Sequence, residues 1–93
     1  MSPSSEATVR LPADLHARPA GQLARAAAGF TSSVSIGAGD RHVDARSVLL
    51  VMSLGAVKDS DVTIRATGED AEQAVRELSG ILAAARPVDA ASG

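Results

Sequence analysis

A histidine standing where a strand gives way to a helix is the arrangement in this chain best suited to chemistry. His16 follows the alternating residues 7–11 and Pro12, and it directly precedes a helical pattern opened by Ala17, Arg18, Pro19 and Ala20. The first amides of a helix have no internal acceptor and the helix dipole leaves partial positive charge there, so an anion at this point meets ready donors. Arg18 adds a charge-assisted donor of the kind that clamps phosphate, and a neutral imidazole nitrogen is a competent nucleophile toward phosphorus. Pro19 falls in the first turn, where its missing amide costs nothing, although it biases Arg18 away from helical angles. Position alone fits equally well a histidine that merely caps a helix or sits half-buried.

Other chemistries find little support. Cysteine is absent and the imidazoles are only His16 and His42, so disulfides, thiolate nucleophiles and a dedicated metal cage are not expected. No Ser/His/Asp set, paired acids or glycine-rich phosphate loop accompanies His16, which argues against a stand-alone enzyme. The net charge is −2, there is no basic block, and Phe30 is the sole aromatic residue, which leaves neither a phosphate-backbone footprint nor a base-stacking platform for nucleic acid. The longest strongly apolar run, residues 48–52, is far below the roughly 20 residues of a membrane span. The start lacks a basic-then-apolar signal pattern. A cytoplasmic chain without membrane insertion or cofactor is expected.

The elements that must hold His16 follow from periodicity. Ninety-three residues fit a single domain, 1–93, with an ordered core at about 6–87 and frayed ends rich in serine, proline and other small residues. With 45% hydrophobic residues and almost no aromatics, the core must be made of Ala, Val, Leu and Ile. Ala7, Val9 and Leu11 alternate as a strand ended by Pro12. Ala20, Leu23, Ala24 and Ala27 recur at helical spacing, and Gly29 stands where a left-handed C-terminal cap is wanted. Val34 and Ile36, a turn at 37–40, and Val43 with Ala45 read as a hairpin. Ser47 caps a short helix over 48–53 ended by Gly55, and Val62, Ile64 and Ala66 form a fourth strand. The last helix carries the stripe Ala71, Ala74, Val75, Leu78, Ile81, Leu82 and Ala85, with Asp70 and Gln73 resembling a capping box and Pro87 closing it. The order βαββαβα predicts an α+β domain: a four-stranded antiparallel sheet with three helices on one face and water on the other.

Leu15-His16-Ala17-Arg18-Pro19-Ala20 closely resembles the phosphohistidine motif of the HPr family, the phosphocarriers of the bacterial phosphoenolpyruvate:sugar phosphotransferase system. Gly29-Phe30-Thr31-Ser32 and the segment at 46–55 resemble family segments in the same order, so the likeness spans about residues 6–86. The resemblance implies an HPr-like open-faced β-sandwich. It also implies a phosphoryl group taken from phospho-enzyme I onto His16 and passed to sugar-specific enzyme IIA proteins or domains, with Arg18 and the Ala17 amide as phosphate ligands. The chain would then act as a monomer that is transiently phosphorylated.

The short helix after Ser47 cannot bury Val48, Leu49, Leu50 and Val51 together. Val51, with Leu54, is expected in the core, while Val48, Leu49 and Leu50 form an exposed apolar patch of the kind that docks partners. Ser47 matches the serine that a dedicated kinase phosphorylates in some HPr proteins, which would add an HPr kinase or a transcriptional regulator to the partners, but helix capping also accounts for it. The sequence departs from the family at Asp14, where glycine is frequent, and at Leu50, where glycine or lysine is common. Asp14 is expected to point outward or cap a turn, since a carboxylate facing phosphoryl oxygens would repel them. Arg25 and Arg46 are candidates for a basic rim with Arg18, and His42 is expected to be inert. Two other readings share these features: a nitrogen-related or regulatory relative of HPr, and a structural interaction domain in which His16 does no chemistry.

Overall fold

The computed structural model describes residues 3–85. The elements are β1 (Ser4–Arg10), α1 (Ala17–Ala27), β2 (Ser33–Ala38), β3 (Arg41–Asp44), α2 (Val48–Ser53), β4 (Asp61–Thr67) and α3 (Ala71–Ala83). The sheet runs β1-β4-β2-β3, and each neighbouring pair is antiparallel, with Ala7 opposite Ile64, Ile64 opposite Ile36 and Ile36 opposite Val43. The order and the antiparallel sheet are as the periodicity predicts.

Alternation along the strands decides which face is dry. Val34, Ile36, Val62, Ile64 and Ala66 are buried beneath Leu23 and Ala27 of α1, Val51 of α2 and Ala74, Leu78 and Leu82 of α3. The opposite face carries Thr8 and Thr63, whose hydroxyls lie 3.1 Å apart, and an Arg65–Glu6 pair at 3.2 Å. A sheet covered on one side by alanine-rich helices needs no aromatic filler, because small side chains let the layers approach closely.

Four local expectations need correction. The strand begins at Ser4, earlier than the expected start of the ordered core, because Ser4 and Ser5 pair with Thr67 and Ala66 and the Pro3 carbonyl accepts the Gly68 amide at 2.8 Å. Gly37 and Ala38 continue β2 rather than turning, so the hairpin closes through Gly39 and Asp40, with Gly39 at φ 61° in the first central position as a type II′ turn requires. Gly29 is not left-handed: Ala28 is the C-cap in the right-handed region. The chain leaves α1 through tighter bonds, Gly29 N–H to Ala26 at 3.0 Å and Phe30 N–H to Ala27 at 3.2 Å. Asp70 is the N-cap residue of α3 but makes no capping bond. Its carboxylate instead accepts the Thr31 amide and the Ser32 amide, each at 2.9 Å, together with the Ser32 hydroxyl, tying α3 to the α1–β2 connection. The predicted stop at Pro87 and the frayed ends at 1–2 and 87–93 lie outside the described residues.

Candidate functional site

His16 is the N-cap residue of α1, in extended conformation at φ −90° and ψ −170°, and its side chain makes no capping hydrogen bond. Its carbonyl opens the helix by accepting the Ala20 amide at 3.0 Å, while its own amide donates to the Asp14 carbonyl at 2.9 Å. Leu15, Pro19 and Ala20 are buried on either side of it, which anchors the turn, whereas Ala17 and Arg18 are exposed. The Ala17 and Arg18 amides precede the helical ladder and Pro19 has none, so two donors stand at the head of α1 beside the imidazole. The Arg18 guanidinium makes no ion pair or hydrogen bond among the described residues. An imidazole, two amides and an uncommitted guanidinium on an exposed turn suit a transient phosphoryl group held without a pocket.

A second loop braces this turn. Leu15 N–H donates to Ala56 at 2.9 Å, Asp59 N–H to Leu11 at 2.8 Å and Leu11 N–H to Ser60 at 2.9 Å. The Asp14 carboxylate accepts the Lys58 amide at 2.8 Å, so it caps a turn, though one more than forty residues away in sequence. Asp59 adopts φ 72°, a left-handed conformation in which aspartate is among the better tolerated non-glycine residues.

Helix α2 packs against α1 and β3. Ser47 Oγ accepts the Leu50 amide at 3.2 Å, so Ser47 caps α2 as expected. Val51 is fully buried and Leu54 packs against the core, while Val48, Leu49 and Leu50 are exposed by 37%, 80% and 44%. Two further large apolar residues are exposed: Met52, on the same helix, at 40% and Val57, in the loop that follows it, at 55%. Met52 stands four residues after Val48 and was findable from helical spacing. Val57 lies in the bracing loop, where no periodicity marks it.

The expected basic rim is incomplete. Arg46 is turned toward Asp44, with a 3.4 Å ion pair and a 2.9 Å bond from its amide to the same carboxylate. That amide first, then the guanidinium, holds the Asp44 carboxyl below its usual range. Arg25 lies in the last turn of α1, at the far end from His16. His42 is exposed on β3 and lies over Gly37, where a Cβ would collide with its ring. A surface hollow at the start of α3, bordered by Glu69, Asp70, Glu72, Gln73, Arg76 and Glu77, is acidic on balance and does not include His16. Among the described residues no cluster of His, Cys, Asp or Glu is placed to hold a metal ion, and no helix is long and apolar enough to cross a membrane.

A family model described as the PTS HPr component phosphorylation site matches residues 3–84. The chain belongs to the HPr family. Within that family it is 36% identical over 78 residues to the phosphocarrier protein HPr of Buchnera aphidicola, covering 84% of this chain and 92% of that protein. It is also 35% identical over 77 residues to the multiphosphoryl transfer protein of Xanthomonas campestris, covering 83% of this chain and 9% of that much longer protein. Among solved structures, HPr from Bacillus anthracis matches with TM-score 0.79 and 31% identity over 85% of this chain and 96% of that one. Crh, the catabolite repression HPr of Bacillus subtilis, matches with TM-score 0.74 and 32% identity over 90% of this chain and all of that one. The open-faced arrangement of three helices on an antiparallel sheet is thus that of HPr proteins, phosphocarriers of the phosphotransferase system.

Proposed function

We propose that this HPr-family chain receives a phosphoryl group from phospho-enzyme I on His16 and delivers it to sugar-specific enzyme IIA proteins or domains. The observation that carries the reading is the head of α1: an imidazole in the N-cap position, the Ala17 and Arg18 amides ahead of the helical ladder, and an Arg18 guanidinium with no partner among the described residues. In this reading the imidazole nitrogen forms a bond to phosphorus as the donor's bond to it breaks, and the donor leaves with the bonding electrons. Arg18 and the amides neutralise the phosphoryl oxygens, and the exposed side chains of Val48, Leu49 and Leu50 seat the partner beside them. Transfer between two proteins needs an accessible group on a rigid scaffold more than an enclosed cavity. The chain then works in the cytoplasm as a carrier and as a monomer. Ser47 is a second modification site in this proposal, open to an HPr kinase, with a transcriptional regulator as a further partner.

Incubation with phosphoenolpyruvate and enzyme I, followed by intact-mass measurement, tests this directly. The wild type gains one phosphoryl mass and His16→Ala gains none. A wild type that stays unmodified beside an enzyme I shown to phosphorylate another HPr refutes the proposal. Using enzyme I homologues from the sugar and nitrogen branches in parallel assigns the branch.

A further inference from the structure

Asp14 makes two bonds that face opposite parts of the site. Its carboxylate accepts the Lys58 amide at 2.8 Å, and its carbonyl accepts the His16 amide at 2.9 Å. One residue therefore links the backbone of His16 to the loop that follows α2 and carries the exposed Val57. Backbone bonds at Leu11 and Leu15 already join the same two segments, but they leave residues 12–14 between them. The Asp14 carboxylate closes that gap with the one side-chain bond between the two segments among the described residues. On the other side, Asp59 is held left-handed between the Lys58 bond and its own bond to Leu11.

We infer that Asp14 is a positioning residue for phosphoryl transfer, fixing His16 relative to the loop that follows α2 and so to the exposed Val48, Leu49 and Leu50 of that helix. This rests on the phosphocarrier reading of His16. A carrier of this kind presents a nucleophile to a partner seated on a neighbouring surface, so the rate depends on how firmly the two are held in register. A displacement of about 1 Å at a reacting atom can cost on the order of a hundredfold. Asp14 is exposed, so removing its side chain opens no cavity and leaves the core untouched. Its carboxylate is committed to the Lys58 amide, which keeps the negative charge on the turn.

Asp14→Ala and Asp14→Asn, prepared in the full chain, separate positioning from simple turn capping. Amide spectra and steady-state phosphorylation by enzyme I are measured below the melting point of both variants. In Asp14→Ala the Lys58 amide resonance moves and exchanges faster, kcat falls by about five- to tenfold, and KM for the carrier stays within about twofold because the docking surface is intact. Asp14→Asn keeps an acceptor oxygen in place and recovers kcat to within about twofold of the wild type. An Asp14→Ala protein that transfers at the wild-type kcat overturns the inference, whatever its Lys58 amide does. So does a loss confined to KM, or an Asp14→Asn variant as slow as Asp14→Ala. A wild type that active enzyme I does not phosphorylate overturns the phosphocarrier reading and the role in transfer with it, while the Lys58 resonance still reports separately whether the tie exists.

Discussion

Replacing Leu49 with aspartate separates binding from folding on α2. Leu49 is 80% exposed, so the folded state gains little from it. If full burial of a leucine is worth about 2 kcal/mol, the fifth that is covered is worth about 0.4 kcal/mol. Aspartate has the lower helix propensity, by about 0.5 kcal/mol, but Leu49 is the second residue of α2, where the helix dipole returns about 0.3–1 kcal/mol to an acidic side chain. These contributions nearly cancel, and the melting temperature should move by no more than about 4 °C. Binding behaves differently. A leucine buried on docking contributes about 1.5–3 kcal/mol, so its replacement by a charge should weaken enzyme I binding by about ten- to a hundredfold or more. Thermal melts give the first quantity, and titration calorimetry or the KM for the carrier gives the second. An L49D protein that melts normally and binds enzyme I like the wild type would show that this face does not dock the partner.

Val51→Ala, on the buried side of the same helix, should cost about 2 kcal/mol and lower the melting temperature by on the order of 10 °C, with KM for enzyme I unchanged below the transition. Ser47→Ala removes the hydroxyl that accepts the Leu50 amide and should cost about 1 kcal/mol, whereas Ser47→Asp, which also caps, should melt close to the wild type. Asp70 is held at about 2, below its ordinary 3.8, by the Ser32 hydroxyl first and the Thr31 amide second. Because its folded-state pKa is depressed, its contribution is complete above pH 4 and is lost as pH falls toward 2. Melts across that window should fall more steeply for the wild type than for Asp70→Asn, and equal slopes would remove Asp70 from the acid response.

Much of the fold was legible because its signals are local. Val62, Ile64 and Ala66 alternate, Ala74, Leu78 and Leu82 recur at helical spacing, and the structure buries all six. Ser47 and Gly55 bracket α2 as cap and left-handed stop, with Gly55 at φ 62°. The placing of His16 and Arg18 at a helix start was legible for the same reason, since they are neighbours in one turn, and the structure puts both at the head of α1. Of the misjudged residues, Ser4 and Asp70 have bonds that cross the chain. Asp70 had the right type and position for a helix cap, but Thr31 and Ser32 lie against it and take its carboxylate. A tertiary partner outcompeted the local one, and no window of neighbouring residues reveals that.

The same distinction bears on how the site works. In the proposed function a motif of six residues supplies the nucleophile and the donors, but it does not set where a partner sits relative to them. That relation depends on residues 56–60 folding back onto residues 11–15 through Ala56, Lys58, Asp59 and Ser60. Three of those bonds use backbone groups and tolerate almost any side chain, so they leave no mark in the sequence. The fourth needs an acceptor at position 14, and this chain supplies it with Asp14, which the motif alone would read as a departure. The carboxylate at position 14 is held by a backbone amide of the second loop, so the departure from the motif is matched by a tertiary bond that the motif does not encode.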